Sequence, residues 1–351
     1  MIRVGIVGSN YGRTVLLPAF RADARCAVVA LAGNDEARTR SLADAAGIAR
    51  AHGDWRALVA DAGVDVVAIA TRPDLQPAIA LDAIARGKAV FAEKPIASDL
   101  AGARAMFAAA RDKKIAAAID FNFHQIAAWQ RAKEMLDGGA IGALRHVAVH
   151  WHIENRAVQM RMRSWKTMSD DGGGVLGNFI SHCFHYLEWF CGPLAGLSAR
   201  LGGLPGDDTL QTTVAMALGF ANGAPGSLSM SCASYLGSGH RIEFYGEDGS
   251  LVLENRGIDY MRGFELLHAR RPAAALARVP VDDPADARYP DGRIAPVSRL
   301  VKGFLDAIER GNPPKPGFAE GYRVQQLIDA AQRSHRDGRV IDVRPETMER
   351  A

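Results

Sequence analysis

The sequence begins with Ile2-Arg3-Val4-Gly5-Ile6-Val7, and Gly8-Ser9-Asn10-Tyr11-Gly12 follows at once. The first run is β-branched and almost continuously apolar, which is typical of a strand buried in a parallel sheet. The glycines of the second run permit a tight turn, and residues 13–21 can form a helix behind it. In this arrangement backbone N–H groups and a helix N-terminus bind a pyrophosphate. We therefore predict a dinucleotide-binding turn. A purely structural turn fits as well, because Asn10 stands where a second glycine is usual.

The residues after this turn alternate between short apolar runs and helical patterns. Strands are predicted over 27–32, 64–70 and 88–91, and helices over 36–46 and 76–86. Such alternation predicts an α/β fold with a doubly wound parallel sheet. Thr71-Arg72-Pro73 follows the end of a predicted strand, where sheets of this kind bind ligands.

The end of the second predicted strand bears on the choice of cofactor. An acidic side chain there binds the adenosine ribose and repels a 2′-phosphate. This chain has Gly33 at that point, with Asn34 beside it and Arg38 nearby, which leaves room for a phosphate. The pattern favours NADP over NAD. The alternative is that Asp35 or Glu36 binds the ribose and Arg38 is simply solvated.

Residues 172–189 combine three opening glycines with a helix-compatible run. At helical spacing Asn178, His182 and His185 share one face, and apolar residues surround it. An imidazole on such a face can transfer a proton near neutral pH. A core helix with satisfied histidines fits the same spacing.

Phe91-Ala92-Glu93-Lys94-Pro95 follows another predicted strand. Here the sequence resembles the Gfo/Idh/MocA oxidoreductases (glucose–fructose oxidoreductase, inositol dehydrogenase and relatives), for which Glu-Lys-Pro is the most specific mark. The resemblance covers nearly the whole chain. It implies a Rossmann dinucleotide-binding domain over residues 1–120. It also implies an α/β substrate-binding and oligomerisation domain over 121–351, with an open, mostly antiparallel sheet.

The resemblance also assigns roles to individual residues. The family lysine that contacts the nicotinamide region and the substrate corresponds to Lys94, and the catalytic histidine corresponds to His182. The chemistry agrees, because an ammonium beside the reacting carbon stabilises a developing alkoxide. Cofactor contacts are expected from Gly8, Ser9, Asn10, Tyr11, Gly12, Gly33, Asn34, Arg38, Thr71, Arg72, Pro73, Gln76, Glu93, Lys94 and Asn122.

Four positions depart from the family pattern. Asn178 and His185 replace carboxylates around the catalytic histidine, His124 replaces an arginine, and Gln76 replaces a histidine. Asn178 can orient an imidazole, but it cannot stabilise the charged ring as an anion does. We keep Asn178 among the catalytic residues and expect His124 and His185 to contact the substrate.

Residues 145–154 alternate like a strand, with His146, His150 and His152 on one face. No carboxylate or cysteine stands at ligand spacing beside them, so we predict no metal site. His152 is expected either to contact a substrate hydroxyl or to have a structural role.

The loop before the glycine run contains Arg163, Trp165 and Lys166. The resemblance places this loop near the substrate. There Trp165 can stack on a sugar ring, and Arg163 or Lys166 can pair with an anionic group. A solvated loop with a packed tryptophan is the alternative.

Composition excludes several classes of protein. The 351-residue chain is 48% hydrophobic, and its net charge of +3 gives no case for nucleic acid. No apolar run approaches the length needed to span a membrane, and we expect no signal peptide, since a strand pattern starts at residue 2. Four widely spaced cysteines fit a reducing cytoplasm.

Residues 273–293 are predicted to be a loop. The open sheet favours a homodimer or homotetramer.

These observations lead to an NAD(P)-dependent oxidoreductase acting on a secondary alcohol or ketone of a sugar, polyol or sugar derivative. A second interpretation is a cofactor-binding sensor that keeps the fold without turnover. A third is a scaffolding protein, which would not need the Glu-Lys-Pro segment.

Overall fold

The computed structural model describes residues 1–168, 172–204 and 207–345. Two turns of π-helix, Gly12–Leu16 and Leu176–Ile180, precede helices α1 and α8 respectively. The helices are α1 Leu17–Arg21, α2 Glu36–Ala45, α3 Trp55–Ala60, α4 Gln76–Ala85, α5 Leu100–Asp112, α6 Ala127–Asp137, α7 Arg156–Gln159, α8 Ser181–Cys191, α9 Ile294–Arg310 and α10 Phe318–Asp337. The strands are β1 Ile2–Val7, β2 Cys26–Ala32, β3 Arg50–His52, β4 Val66–Ile69, β5 Ala89–Ala92, β6 Ala117–Ile119, β7 Leu144–His152, β8 Leu194–Leu204, β9 Asp207–Phe220, β10 Pro225–Ser231, β11 Gly239–Gly246, β12 Gly249–Asn255, β13 Glu265–Arg270, β14 Ala277–Val279 and β15 Ile341–Asp342.

The chain forms two compact units. The first consists of Met1–Gln125 and Ala285–Gln325, and the second of Ile126–Pro284 with the chain from Gln326 onward. We predicted a single division after residue 120, which places residues 285–325 in the second domain. The structure groups them with the first unit, because buried residues of α9 pack in the same hydrophobic cluster as β1. The assignment of cofactor to one domain and substrate to the other stays a prediction.

The sheet of the first unit confirms the predicted doubly wound fold. Its six strands are parallel and run in the order β3-β2-β1-β4-β5-β6, which is the order of a Rossmann fold. The central strand β1 pairs with β2 on one side and β4 on the other, so Val4 and Ile6 are fully buried. Continuous apolar runs form these strands because both faces of a parallel sheet are covered by helices.

Helix α9 completes the core of the first unit. Its buried residues Val297, Val301 and Phe304 join the same hydrophobic cluster as β1. The Phe304 ring meets Phe91 edge-on at 5.6 Å between centroids, and Phe91 meets Phe20 at the same distance. This packing attaches a late segment of the chain to the first sheet.

The second unit contains a nine-stranded sheet in the order β14-β13-β12-β11-β7-β10-β9-β8-β15. All neighbouring strands are antiparallel except β7 and β10, so the predicted mostly antiparallel sheet is confirmed. A hairpin at Asn222-Gly223 joins β9 to β10, and the Asn222 side chain accepts a hydrogen bond from the Ala224 backbone N–H.

The prediction of a loop over residues 273–293 was wrong in part. β14 lies inside it and pairs with β13, and a short 3₁₀ turn covers Asp286–Arg288. A three-residue edge strand is too short to show an alternating pattern, which explains the error. Within the part of the chain that the structure describes, no helix has the length and apolar character needed to cross a membrane.

Candidate functional site

The glycine-rich turn follows β1 directly and requires glycine at its first position. Gly8 has a φ of +113°, and a side chain there would place its Cβ 2.3 Å from the Ala70 carbonyl oxygen. The Asn10 carbonyl accepts hydrogen bonds from the N–H groups of Arg13 and Thr14, which begins the following helical turn. Only glycine fits this position, and it has no side chain to cover the backbone of the turn. Backbone N–H groups at the carboxyl end of β1 are therefore accessible to a pyrophosphate.

The end of β2 carries no acidic side chain at Gly33. A Cβ on Gly33 would lie 2.4 Å from the hydroxyl of Thr39, which is itself buried. Asp35 caps α2, where its carboxylate accepts a 2.9 Å hydrogen bond from the Arg38 backbone N–H. The carboxylate nearest the strand end is therefore engaged by the helix, while Asn34 and the Arg38 side chain are exposed.

The loop after β4 lies at the same edge of the sheet. Its backbone continues the ladder, since the Ala70 N–H bonds to the Val7 carbonyl at 2.8 Å. Arg72 forms a 2.9 Å ion pair with Asp74 at the surface. Thr71 and Pro73 flank this arginine, so the predicted loop follows the carboxyl end of a central strand, as expected.

The Glu93-Lys94-Pro95 segment follows β5 and is held from two directions. The Glu93 N–H donates to the Ile69 carbonyl of β4 at 2.9 Å. The side-chain amide of Gln76, which is fully buried at the start of α4, donates to the Pro95 carbonyl at 2.7 Å. The Lys94–Pro95 peptide bond is cis. Lys94 is half-buried, so this loop presents an ammonium group at the edge where such sheets bind ligands.

Asp120, which the sequence argument did not select, lies at the same edge. It follows β6 and is only 1% exposed, and its N–H bonds to the Ala92 carbonyl. The Tyr11 hydroxyl donates a 2.9 Å hydrogen bond to Asp120 Oδ2. Burial raises the pKa of Asp120 well above its ordinary value, and the adjacent carboxyl of Glu93 raises it further. The sequence offered little signal for it, because β6 has only three residues and was not predicted.

Two buried amide oxygens lie in this region without a donor among the described residues. They belong to Asn122, which is 5% exposed, and to Gln76, whose nitrogen already serves Pro95. A buried acceptor of this kind is costly unless something donates to it. Together with the cradle at Gly8, these two oxygens fit a bound ligand that carries a phosphate and an N–H donor.

His124 is buried in the first unit, and both of its ring nitrogens contact protein atoms. Nδ1 lies 2.7 Å from the Phe121 carbonyl, and Nε2 lies 2.9 Å from the Gln125 side-chain amide. Burial lowers the pKa of His124 to about 4, so the ring is neutral at physiological pH. This geometry supports a structural role rather than a substrate contact.

In the second unit, Gly173 brings the predicted substrate loop to the start of the candidate helix. A Cβ on Gly173 would lie 1.5 Å from the Trp165 carbonyl oxygen, so only glycine fits this approach. The Gly174 N–H bonds to the same carbonyl at 3.2 Å. Arg163 and Lys166 are exposed in this loop, and the Lys166 ammonium lies 5.8 Å from the Trp165 ring centroid.

The helix that follows carries the three predicted polar residues. Asn178 lies in the π-helical turn Leu176–Ile180, and His182 and His185 lie in α8. His182 is 7% exposed, whereas Asn178 and His185 are half-buried. π-Helical turns of this kind are frequent at functional sites. The regular spacing from which the prediction was made did not reveal the extra residue in this turn.

The structure separates His152 from the helix that carries His182. Residues along β7 alternate between faces, and Trp151 packs against Phe179 on the helix-covered face, with ring centroids 5.2 Å apart. His152 therefore points to the opposite face, where Nε2 lies 2.9 Å from the Ser229 hydroxyl. Burial, and then the nearby His150, lower the pKa of His152. The described residues contain no group of three or more side chains able to hold a metal ion.

Comparisons with known proteins agree with this geometry. Residues 2–121 match the model described as an oxidoreductase family with an NAD-binding Rossmann fold, and residues 129–252 match the GFO/IDH/MocA C-terminal domain. An uncharacterized oxidoreductase of Synechocystis sp. is 31% identical over 96% of this chain and 94% of its own. Levoglucosan dehydrogenase of Pseudarthrobacter phenanthrenivorans is 27% identical over 88% of both. A solved complex of levoglucosan dehydrogenase with NADH and levoglucosan superposes with a TM-score of 0.87 at 25% identity, over 98% of this chain and 99% of that one.

Proposed function

This chain belongs to the Gfo/Idh/MocA family of oxidoreductases, and we propose that it transfers hydride between a nicotinamide cofactor and a secondary alcohol of a sugar, polyol or sugar derivative, or the matching ketone. The observation that carries the proposal is the Glu93-Lys94-Pro95 loop, held at the carboxyl edge of a sheet with Rossmann strand order. Levoglucosan dehydrogenase, a relative along nearly the whole chain, supports a sugar-like substrate.

We propose that the first unit holds the cofactor. The turn from Gly8 to Gly12 would hold the pyrophosphate, because its backbone approaches closely and a helix begins behind it. The buried oxygens of Gln76 and Asn122 would accept from N–H groups of the cofactor. When bound, the nicotinamide ring supplies or accepts the hydride. Thr71, Arg72 and Pro73 would line the same edge.

We further propose a preference for NADP over NAD. Gly33 leaves the ribose position without a carboxylate, and Asp35 is engaged in capping α2. The exposed guanidinium of Arg38 and the amide of Asn34 supply donors suited to a 2′-phosphate. The levoglucosan dehydrogenase complex contains NADH, so the alternative is NAD with Glu36 as the ribose contact.

Within the chemistry, Lys94 would stabilise negative charge on the substrate oxygen, and His182 would take or return the hydroxyl proton. Asn178 precedes His182 by four residues and would orient the imidazole without adding a charge. Arg163, Trp165, Lys166 and His185 stay in the proposal as substrate contacts. His124 and His152 make protein contacts through their ring nitrogens, which supports structural roles for both.

The open face of the nine-stranded sheet supports a homodimer or homotetramer. Ala215, Ala217, Ser227 and Ser229 lie on this face in the adjacent strands β9 and β10, and small side chains of this kind permit close approach of a second surface. Light scattering behind size-exclusion chromatography measures the mass directly. A monomer at micromolar concentration would contradict this part of the proposal.

The proposal is tested by nicotinamide fluorescence titrations with NADPH and NADH, followed by a panel of sugars, polyols and keto-sugars. We expect tighter binding of NADPH, and a substrate whose turnover collapses in Lys94→Ala and His182→Ala. Lys302→Ala, on the exposed face of α9, serves as the matched lysine control. Binding of neither cofactor would overturn the assignment of the first unit.

A second candidate function is a cofactor-binding sensor. The observation in its favour is that Asn178 and His185 occupy positions where the family usually has carboxylates. Tight cofactor binding without turnover of any member of the panel would support the sensor, whereas turnover that depends on His182 would exclude it.

A further inference from the structure

Three side chains from distant parts of the chain meet at the carboxyl edge of the first sheet. Tyr11 follows β1, Glu93 follows β5 and Asp120 follows β6. The Tyr11 hydroxyl donates to Asp120 Oδ2 at 2.9 Å. Glu93 and Asp120 directly follow Ala92 and Ile119, which are paired in β5 and β6, and the Asp120 N–H bonds to the Ala92 carbonyl. Lys94 joins the group, since its backbone N–H donates to Glu93 Oε2 at 3.2 Å.

The second carboxyl oxygen of Asp120 has no donor within the described ranges. Oδ1 is buried, while Oδ2 accepts from Tyr11. Asp120 is only 1% exposed, and Glu93 beside it is half-buried. Two ionised carboxylates at such adjacent positions are unfavourable, because burial reduces the screening of their repulsion. A single proton held between the two groups removes this conflict and satisfies Oδ1.

The other charged groups do not remove the need for that proton. Lys94 lies close enough to favour the ionised form of Asp120, but its effect is smaller than those of burial and Glu93. The Arg293 guanidinium lies 5.3 Å from the Tyr11 ring centroid and already pairs with Asp291. Lys94 therefore offsets only part of the charge that two ionised carboxylates would carry.

We propose that Asp120 holds a proton at neutral pH and shares it in a hydrogen bond with the adjacent Glu93 carboxylate, so that Lys94 lies beside a pair carrying one negative charge rather than two. Because Tyr11 occupies Oδ2, the shared proton lies between Oδ1 of Asp120 and the Glu93 carboxyl. Asp120 is then a positioning residue that acts on the substrate through Glu93 and Lys94. This role in turnover rests on the proposed function, but the shared proton itself does not.

The shared proton is tested on the full-length protein without cofactor, by urea unfolding of wild type and Asp120→Asn between pH 5 and 8. Folding of the wild type takes up a proton in this range, since the unfolded carboxyl ionises near pH ~3.9. The contribution of this carboxyl to stability therefore falls as pH rises toward its raised folded pKa. The amide cannot titrate. We therefore expect the urea midpoint of Asp120→Asn to rise relative to that of wild type as the pH increases.

Two further variants keep this test decisive. Even if Asp120→Asn folds poorly, the urea midpoint of Glu93→Gln should also rise relative to that of wild type as the pH increases. Asp112→Asn, at the exposed end of α5, controls for removal of any carboxylate. Infrared spectroscopy should show a protonated carboxyl band at pH 7 that is lost in Asp120→Asn and shifted in Glu93→Gln. Parallel midpoint curves and no such band would overturn the proposal.

The link to Lys94 is tested by the pH profile of kcat/KM. Asp120→Asn keeps the negative charge of Glu93, so its alkaline limb should stay near that of wild type. The double variant Glu93→Gln/Asp120→Asn removes both charges and should move the alkaline limb to lower pH, because the ammonium loses its counter-charge. If the difference in urea midpoint between wild type and Asp120→Asn does not change with pH, but turnover still requires Lys94, the shared proton is rejected and the proposed function stands. If that difference changes with pH, but the protein turns over no substrate, the proposed function is rejected and the shared proton stands.

Discussion

In the first unit, Tyr11, Glu93 and Asp120 come from three separate strand ends, whereas in the second unit Asn178, His182 and His185 lie along one helical segment. Tyr11 and Asp120 are 109 residues apart in sequence, yet a 2.9 Å hydrogen bond joins them. Parallel strands place all their carboxyl ends at one edge, so topology gathers distant residues. A helix gathers residues through short, regular spacing instead.

The two arrangements also exclude residues differently. On β7, strict alternation sends Trp151 to the helix-covered face and His152 to the other, although they are neighbours in sequence. At the edge of the parallel sheet, a side chain joins the cluster of Tyr11, Glu93 and Asp120 simply because it follows the end of a strand. The face of a strand thus decides which side chains can join a site in the second unit, whereas position after a strand decides it in the first.

The largest effect should come from breaking the helical site. We expect His182→Ala to lower kcat/KM by about 10²–10⁴-fold, since that is the usual contribution of a positioned acid–base group. His152→Ala, on the opposite face of the sheet, should change it by only a few-fold. Steady-state kinetics with the best substrate of the panel measures both, and circular dichroism checks that both variants fold. Equal losses in the two variants would contradict the separation of the two faces.

A second prediction addresses the core that holds the parallel edge in place. Phe304→Ala removes a ring that is 1% exposed and packs on Phe91, so we expect a loss of about 3–5 kcal/mol in the free energy of unfolding. Arg310→Ala, at the exposed end of the same helix, should cost much less. Urea unfolding measures both. A small effect of Phe304→Ala would argue against α9 as part of the first core.

The next prediction is a pH dependence that runs opposite to that of Asp120. His124 has a folded pKa of about 4, lowered by burial, against about 6.5 in the unfolded chain. Between these values the unfolded state binds more protons, so stability falls as pH falls from 6.5 toward 4. The slope from this one group is at most about 1.4 kcal/mol per pH unit. His124→Gln should flatten the acid side of the urea-midpoint curve, and an unchanged acid slope would contradict a neutral, structural His124.

Much of the first unit could be predicted from sequence, because buried parallel strands have continuous apolar runs and their ends mark the ligand edge. Asp120 was missed because it follows a strand of only three residues, β6, which has no recognisable pattern. The π-helical turn at Asn178 was missed because one inserted residue hardly disturbs a helical pattern. The packing of α9 on β1 depends on contacts between residues about 300 positions apart, which no local pattern reports.

The smallest effect concerns the cofactor at the end of β2, where the first unit differs from the usual NAD pattern. Arg38→Ala should weaken NADPH binding about tenfold, which corresponds to about 1.4 kcal/mol for one exposed charge on a phosphate, and should leave NADH binding nearly unchanged. Arg40→Ala, on the same helix, is the matched control.

Reversing the preference for NADPH requires a carboxylate at position 33. The Cβ of such a residue would collide with the Thr39 hydroxyl, so Gly33→Asp should favour NADH only in combination with Thr39→Ala. Fluorescence titration of all four variants with both nucleotides measures these ratios. An equal loss of NADPH and NADH binding in Arg38→Ala would show that this arginine does not select the 2′-phosphate.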